Sequence, residues 1–431
     1  MEFDITGEHF VLVGALLLFV SVLAGKVAYR FGTPALLLFL GVGMIFGWDF
    51  ISYRSIEMTQ FIGMIALCVI LFTGGMDTSF TEIRPVIAPG LVLATVGVLM
   101  TALIMALFIW WIAPHIGVEM SFALALLLAA TMSSTDSASV FSILRSKRQG
   151  LREHLRPLLE LESGSNDSMA YMLTILLIGI LARSGSGGIG REILLFFVEM
   201  IVGTVSGYLL GRLAVWTINR INLANASLYP VLLLAFILLS FSLTDLIRGN
   251  GYLAVYIAGL VVGNHRIACK RSLHGFFDGF TWLMQIIMFL TLGLFVNSRE
   301  LVNPDVLLLG LSVGFFLMLV ARPLTTCCCL LPFRQFTPRA RLYIAWVGLR
   351  GAVPILFATY PMLAGVDQSG LIFNVVFLTT IVSLAVQGTT VSSVANALGL
   401  AFAEPPEQPE QPEQPEPPAP SERPELPAAE G

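Results

Sequence analysis

The sequence predicts an all-α membrane protein of about thirteen transmembrane helices. Three observations predict it. The composition is 56% hydrophobic and only 12% charged, with a mean hydropathy of +0.84, where soluble domains carry about 25% charged residues. The apolar residues fall into runs long enough to cross a hydrocarbon core about 30 Å thick. Lysine and arginine alternate in density from one inter-run loop to the next, as expected of a chain threaded back and forth across a bilayer.

In chain order the runs centre on residues 10–25, 34–48, 60–76, 86–112, 121–144, 157–182, 192–218, 228–247, 252–264, 277–297, 305–332, 340–363 and 371–398. The fourth is long for a crossing and the ninth short. One set of loops holds Lys26, Arg30, Arg84, then Arg145, Lys147, Arg148, Arg152 and Arg156. It continues with Arg220, with Arg266, Lys270 and Arg271, and with Arg334, Arg339 and Arg341; Arg212 lies near the same face. The opposite set holds only Arg54, Arg183, Arg191, Arg248 and Arg299. The positive-inside rule then places the N-terminus outside and the C-terminus in the cytoplasm. Met1-Glu-Phe-Asp4 is acidic where a secretory leader is basic, so no cleaved signal peptide is expected. Cys68, Cys269 and the run Cys327-Cys328-Cys329 show no metal-ligand spacing with histidine and read as small helix-packing residues.

Residues 1–400 read as one transmembrane domain. Residues 401–431 read as a disordered cytoplasmic tail, because Glu-Gln-Pro and Pro-Glu repeats dominate from residue 404 onward. Such composition does not bury a core. Within the spans, Gly164, Gly348, Gly351, Pro354 and Gly388 interrupt apolar runs, and helix breaks at membrane depth are tolerated where they line a cavity or pack on protein. The polar stretch 131–139 in the fifth span is matched by 348–354 in the twelfth. Seven spans separate the two, so a repeat with that offset would be inverted in the membrane.

The chemistry concentrates on two intramembrane acids. Asp136 lies nine residues before Arg145, and Asp167 eleven after Arg156. At about 1.5 Å per helical residue, each carboxylate stands roughly 13–17 Å from a basic loop, near the middle of the bilayer. An acid there is costly and reads first as an ion or proton site. Ser163 and Asp167 are four apart on one helix face, as are Glu162 and Asn166 on the next. With Thr135 they offer hydroxyl and carboxylate oxygens, the donor type that suits a hard monovalent cation. Glu162 and Arg322 both fall in the inner half of the membrane and would neutralise each other as a structural ion pair. Arg350 lies near mid-membrane and needs either a carboxylate or the free carbonyls of a broken helix.

At these residues the chain resembles the NhaP-type cation:proton antiporters, the bacterial branch of the cation:proton antiporter-1 family that includes the animal sodium/proton exchangers. The matching motifs are Ser134-Thr-Asp136, Glu162-Ser-Gly-Ser-Asn-Asp167, Val320-Ala-Arg-Pro323 and Gly348-Leu-Arg-Gly-Ala-Val-Pro354, and the similarity runs in order over nearly all of residues 8–400. The resemblance implies an NhaA-like fold of two six-helix inverted repeats with broken crossing helices, a mobile core domain and a homodimer. It implies that Asp167 binds cation and proton, with Asp136, Ser163 and Thr135 completing the site. Asn166 stands where electrogenic relatives carry a second aspartate, which implies electroneutral exchange, and Glu162 and Arg322 match the family's structural pair. Two features depart from the pattern. Thr73 in Leu71-Phe-Thr-Gly-Gly75 replaces an acid many relatives carry, with Asp77 a turn later. The potassium-handling branch carries cytoplasmic regulatory domains where this sequence has only its Pro/Glu tail.

The expected function is therefore secondary transport, exchanging K+ or Na+ for H+ across a bacterial inner membrane. No enzymatic activity, no cofactor beyond the transported ions and no nucleic-acid partner are expected. Two other classes use the same acids: a cation channel or ion-sensing membrane protein, and an intramembrane aspartyl protease. A channel needs a continuous polar path, and a protease needs a carboxylate dyad sharing a proton in a wet cleft. The apolar runs flanking Thr135 and Asn166 do not fit a channel, and Asn166 and the hydroxyl shell fit a protease poorly.

Overall fold

The structure, a computed structural model, describes residues 7–31, 34–49, 55–182 and 189–403. The acidic N-terminus Met1–Asp4, Arg54, Arg183 and the Pro/Glu tail from 404 onward lie outside the described residues. Among them the chain is almost entirely helical, the form in which a segment in hydrocarbon satisfies its own backbone.

In order, the helices are α1 Gly7–Phe31, α2 Ala35–Asp49, α3 Ile56–Asp77, α4 Phe80–Ile116, α5 Phe122–Thr131, α6 Ser137–Ser146, α7 Leu155–Ala182 and α8 Ile189–Arg220. Then come α9 Leu228–Leu246, α10 Gly251–Gly263, α11 Lys270–Phe295, α12 Pro304–Leu330, α13 Pro338–Trp346, α14 Ala352–Leu363 and α15 Ser369–Ala397. Eight of these (α3, α4, α7, α8, α9, α11, α12 and α15) are long and apolar enough to cross a membrane, and five shorter apolar helices lie in α1, α2, α5, α10 and α14. Side-chain caps set several starts, with Ser55, Ser121, Asn250 and Thr337 each accepting a hydrogen bond from a first-turn N–H, as orphan helix donors require.

Both polar stretches flagged in the sequence are places where a span breaks. Residues 132–136 separate α5 from α6, and residues 347–351 separate α13 from α14. Three further spans are loosened by a single π turn: Leu93–Gly97 in α4, Leu317–Ala321 in α12 and Leu384–Gly388 in α15. Gly388 thus sits in a π turn and not in a break, and the expectation at Gly164 is corrected more fully. Helix α7 runs unbroken through it, because that glycine serves contact: a Cβ there would run into the ring of Tyr256 on α10.

Buried apolar side chains form two main clusters. One is built chiefly on α4, α5, α7 and α12–α15, the other on α3, α8, α9, α10 and the start of α11. Glycines bring backbones together within the bundle, as small residues do in membranes. Helix α2 meets α11 at Gly43 and Gly47, where a Cβ would collide with the backbone of Leu290, Gly293 and Leu294. Helix α3 meets α10 at Gly75, Gly259 and Gly263, with facing backbone equally near. The described chain runs three residues past the sequence-based domain boundary at 400. Strand β1, Gln149–Leu151, pairs antiparallel with β2, Ala401–Ala403, and Arg152 N–H donates to Leu400 O at 3.0 Å. The ladder satisfies backbone groups that the sequence reading left in the tail.

Candidate functional site

The break between α5 and α6 ends on Asp136, which caps α6. Asp136 Oδ1 accepts from the Ser139 N–H at 3.1 Å, and Oδ2 from the Ser139 hydroxyl at 2.5 Å. A carboxylate suits this place, since helix N-termini leave orphan donors and a partial positive charge. The two breaks interlock. Asp136 N–H donates to Leu349 O at 2.8 Å, and the Arg350 guanidinium donates from Nη1 to the carbonyl of Ser134. Of the two roles left open for Arg350, the structure thus shows the second: it satisfies a carbonyl of the opposite broken helix. Its own N–H donates to Ser383 Oγ at 3.0 Å, Ser383 Oγ donates to Gln387 Oε1 at 2.6 Å, and Gln387 Nε2 reaches Trp346 O at 2.6 Å. The π turn of α15 therefore holds the second break in place, a placement often found at functional sites.

Gly351 lies under Asp136, where a Cβ would collide with the carboxylate. Gly351→Ala is therefore expected to lower stability in detergent by about 1–3 kcal/mol, the usual cost of overpacking a filled interior. Thermal unfolding checks this, and an unchanged melting temperature would mean that Asp136 does not rest on Gly351.

Helix α7 supplies the facing wall. Ser163 Oγ donates to Thr135 O at 2.8 Å and accepts from Ser137 N–H at 3.1 Å. Asn166 Nδ2 donates to Thr135 Oγ1 at 2.6 Å, and Asn166 Oδ1 accepts from Thr135 N–H at 3.3 Å. The structure thus brings Thr135, Asp136, Ser163, Asn166 and Asp167 together. Asp167 differs from the others in one respect: its Oδ1 is buried with no hydrogen-bond partner. Glu162 and Arg322 form their own contact, Nη2 to Oε1 at 2.5 Å, with both side chains buried.

A cavity of about 770 Å³ connects Asp167, Asp136 and Ser163 with Arg145 and Arg156 at the ends of the basic loop. Thr73 and Asp77 of α3 line it too. The Thr73 hydroxyl donates to Val69 O at 2.9 Å and accepts from the Thr281 hydroxyl at 3.0 Å. On the far side of Asp167, one helical turn on, Tyr171 stacks edge-on against Tyr252 and Tyr360, with ring centroids 4.8 and 5.3 Å apart, and the latter two share a 2.9 Å hydroxyl contact. An unpartnered carboxylate oxygen, with a second carboxylate and hydroxyl oxygens beside it and a cavity leading to it, can hold a proton or a small hard cation.

Sequence reasoning read Gly351 only as an interruption, and missed Ser383, Gln387 and Tyr256. The Ser383/Gln387 pair carried a usable signal, two polar side chains four apart in an apolar run. Tyr256 carried none.

Residues 15–397 match the family described as sodium/hydrogen exchanger, transmembrane. The chain is 40% identical over 394 residues to the K(+)/H(+) antiporter NhaP of Alkalimonas amylolytica, covering 90% of this chain and 67% of that protein. It is 26% identical over 364 residues to the Na(+)/H(+) antiporter NhaP of Pseudomonas aeruginosa, covering 81% and 82%. The solved structure of the sodium proton antiporter MjNhaP1 from Methanocaldococcus jannaschii at pH 8 matches with a TM-score of 0.78 at 23% identity, over 90% of this chain and 99% of that one. That last likeness is one of fold.

Proposed function

The chain belongs to the sodium/hydrogen exchanger family, whose members are transmembrane cation:proton antiporters and not enzymes, and from this premise we propose that it exchanges potassium or sodium for protons one for one, with Asp167 carrying either load. One observation carries the proposal: Asp167 Oδ1 is the unpartnered acid oxygen at the inner end of the cavity, while both oxygens of Asp136 are held by the α6 cap. Thr135, Ser163 and Asp136 supply the remaining oxygens around the cation, and Asn166 keeps Thr135 in position. A proton and a cation compete for Asp167. A bare carboxylate is costly in hydrocarbon, so only loaded states cross and the two fluxes are coupled. Potassium is the first candidate cation, since the relative at 40% identity is named a K(+)/H(+) antiporter.

We read the architecture as thirteen crossings in an NhaA-like arrangement, with the first six and last six as inverted repeats about α8. The glycine contacts support this. Gly43 and Gly47 of the second span and Gly259 and Gly263 of the ninth share one spacing, and each pair presses on the backbone of a helix in the other half. The π turns in the fourth and eleventh spans and the breaks in the fifth and twelfth follow the same offset of seven. The bundle with α4–α7 and α12–α15 is the moving core, and the remaining helices are the frame on which a homodimer forms in the inner membrane, N-terminus outside. The packed tyrosines beyond Asp167 favour alternating access over an open channel.

Electroneutrality follows if Asp136 keeps one protonation state and Asp167 alone trades its load. In proteoliposomes with pH and cation readouts, exchange rates should not respond to an imposed membrane potential. One net charge across 100 mV is worth about 2.3 kcal/mol, roughly a fiftyfold bias in gradient. A strong, sign-dependent response would refute one-for-one exchange, and absence of cation-driven proton movement would refute the function itself.

A further inference from the structure

We infer that the Tyr256 hydroxyl is a cation ligand in its own right, marking a staging position between the mouth of the cavity and Asp167 for a monovalent cation that still keeps part of its water. The inference rests on the exchange function proposed above. Among the described residues, several buried polar side-chain atoms lack a hydrogen-bond partner, and only two belong to residues lining the cavity: Asp167 Oδ1 and Tyr256 Oη. Buried polar groups are nearly always satisfied, and one left open at a wet site is available to a ligand or its water. The first of these two atoms is the proposed carrier, and the second had no role.

Tyr256 reaches this place by a specific arrangement. It lies on α10 and is 3% exposed. Its ring rests on Gly164 of α7, three residues before Asp167, where any Cβ would collide with it. The glycine in Glu162-Ser-Gly-Ser is thereby explained without a helix break. Thr78 and Ser165 bring hydroxyls close to Oη, and the Glu160 carboxylate lines the same cavity. Thr78 donates its own proton to Gly74 O at 2.7 Å. Neutral hydroxyl oxygens with one nearby carboxylate suit a monovalent cation. Asp77 and Thr73 line the route on the α3 side.

The test is Tyr256→Phe, which removes one oxygen and keeps the ring on Gly164. Exchange is measured in proteoliposomes against rising K+ and, separately, Na+, with thermal unfolding in detergent as a folding check. Losing a ligand that acts before the crossing step should raise the half-saturating cation concentration about fivefold, equivalent to about 1 kcal/mol, with the maximal rate kept. The factor should differ between K+ and Na+. Ser165→Ala, which leaves the ring untouched, is the second probe and should give a smaller increase; it decides the matter if Tyr256→Phe does not fold. Saturation curves identical to wild type, or a lower maximal rate at unchanged half-saturation, overturn the assignment. A wild-type protein with no cation-driven proton movement overturns the exchange function instead, so the two failures are distinguishable.

Discussion

Asp167→Asn abolishes cation-driven proton movement, to the background of protein-free vesicles, while the protein still folds. Asparagine keeps the size of the side chain and can still hydrogen-bond, so α7 and its contacts with Thr135 through Ser163 and Asn166 persist. What disappears is a group that exists both as a proton carrier and as an anion. No other acid can substitute. Asp136 is committed to the first turn of α6, Glu162 is held by Arg322, Glu160 pairs with Arg156 at 2.9 Å, Asp77 stands by His274 at 3.2 Å, and Asp278 is exposed. The effect therefore exceeds the ten- to hundredfold losses expected of a positioning residue. Flux at wild-type rates through a folded Asp167→Asn protein would sink the assignment.

The second large effect is on stability. Glu162 and Arg322 are 1% and 3% exposed and meet at 2.5 Å. Removing either partner strands a buried charge, at a cost of about 3–5 kcal/mol. Glu162→Ala and Arg322→Ala should each lower the melting temperature in detergent sharply, and Gly348→Ala should do so more mildly, because a Cβ at Gly348 would press on the Arg322 side chain. The double substitution strands nothing, so its loss should fall well short of the sum of the singles. Strict additivity would mean that the two side chains do not meet.

Much of this arrangement was legible in the sequence because membranes impose coarse, strong rules. Span lengths, the two polar breaks and the pairing of Glu162 with Arg322 all follow from the cost of exposed backbone and unpaired charge in hydrocarbon. What stayed hidden has no such rule. A π turn such as Leu384–Gly388 is one extra residue per turn and leaves no compositional mark. Backbone carbonyls are the same in every residue, so nothing in the sequence pointed Arg350 at Ser134. Gly164 and Gly351 looked alike as interruptions, yet one admits an aromatic ring inside an intact helix and the other admits a carboxylate at a true break. Distinguishing them requires knowing what lies opposite.

The interlock of the two broken spans also has a bearing on biosynthesis. Arg350 and the Ser134 carbonyl it satisfies are 216 residues apart in the chain. At about 5–20 residues per second, roughly ten to forty seconds pass between their emergence from the ribosome. Throughout that interval Asp136 and the bare carbonyls of the first break sit in the nascent chain without the partner that completes them, and the Leu349 carbonyl that pairs with Asp136 N–H does not yet exist. The first half of the protein therefore enters the bilayer with an unfinished centre, and the proposed ion site is closed only when α13 and α14 arrive.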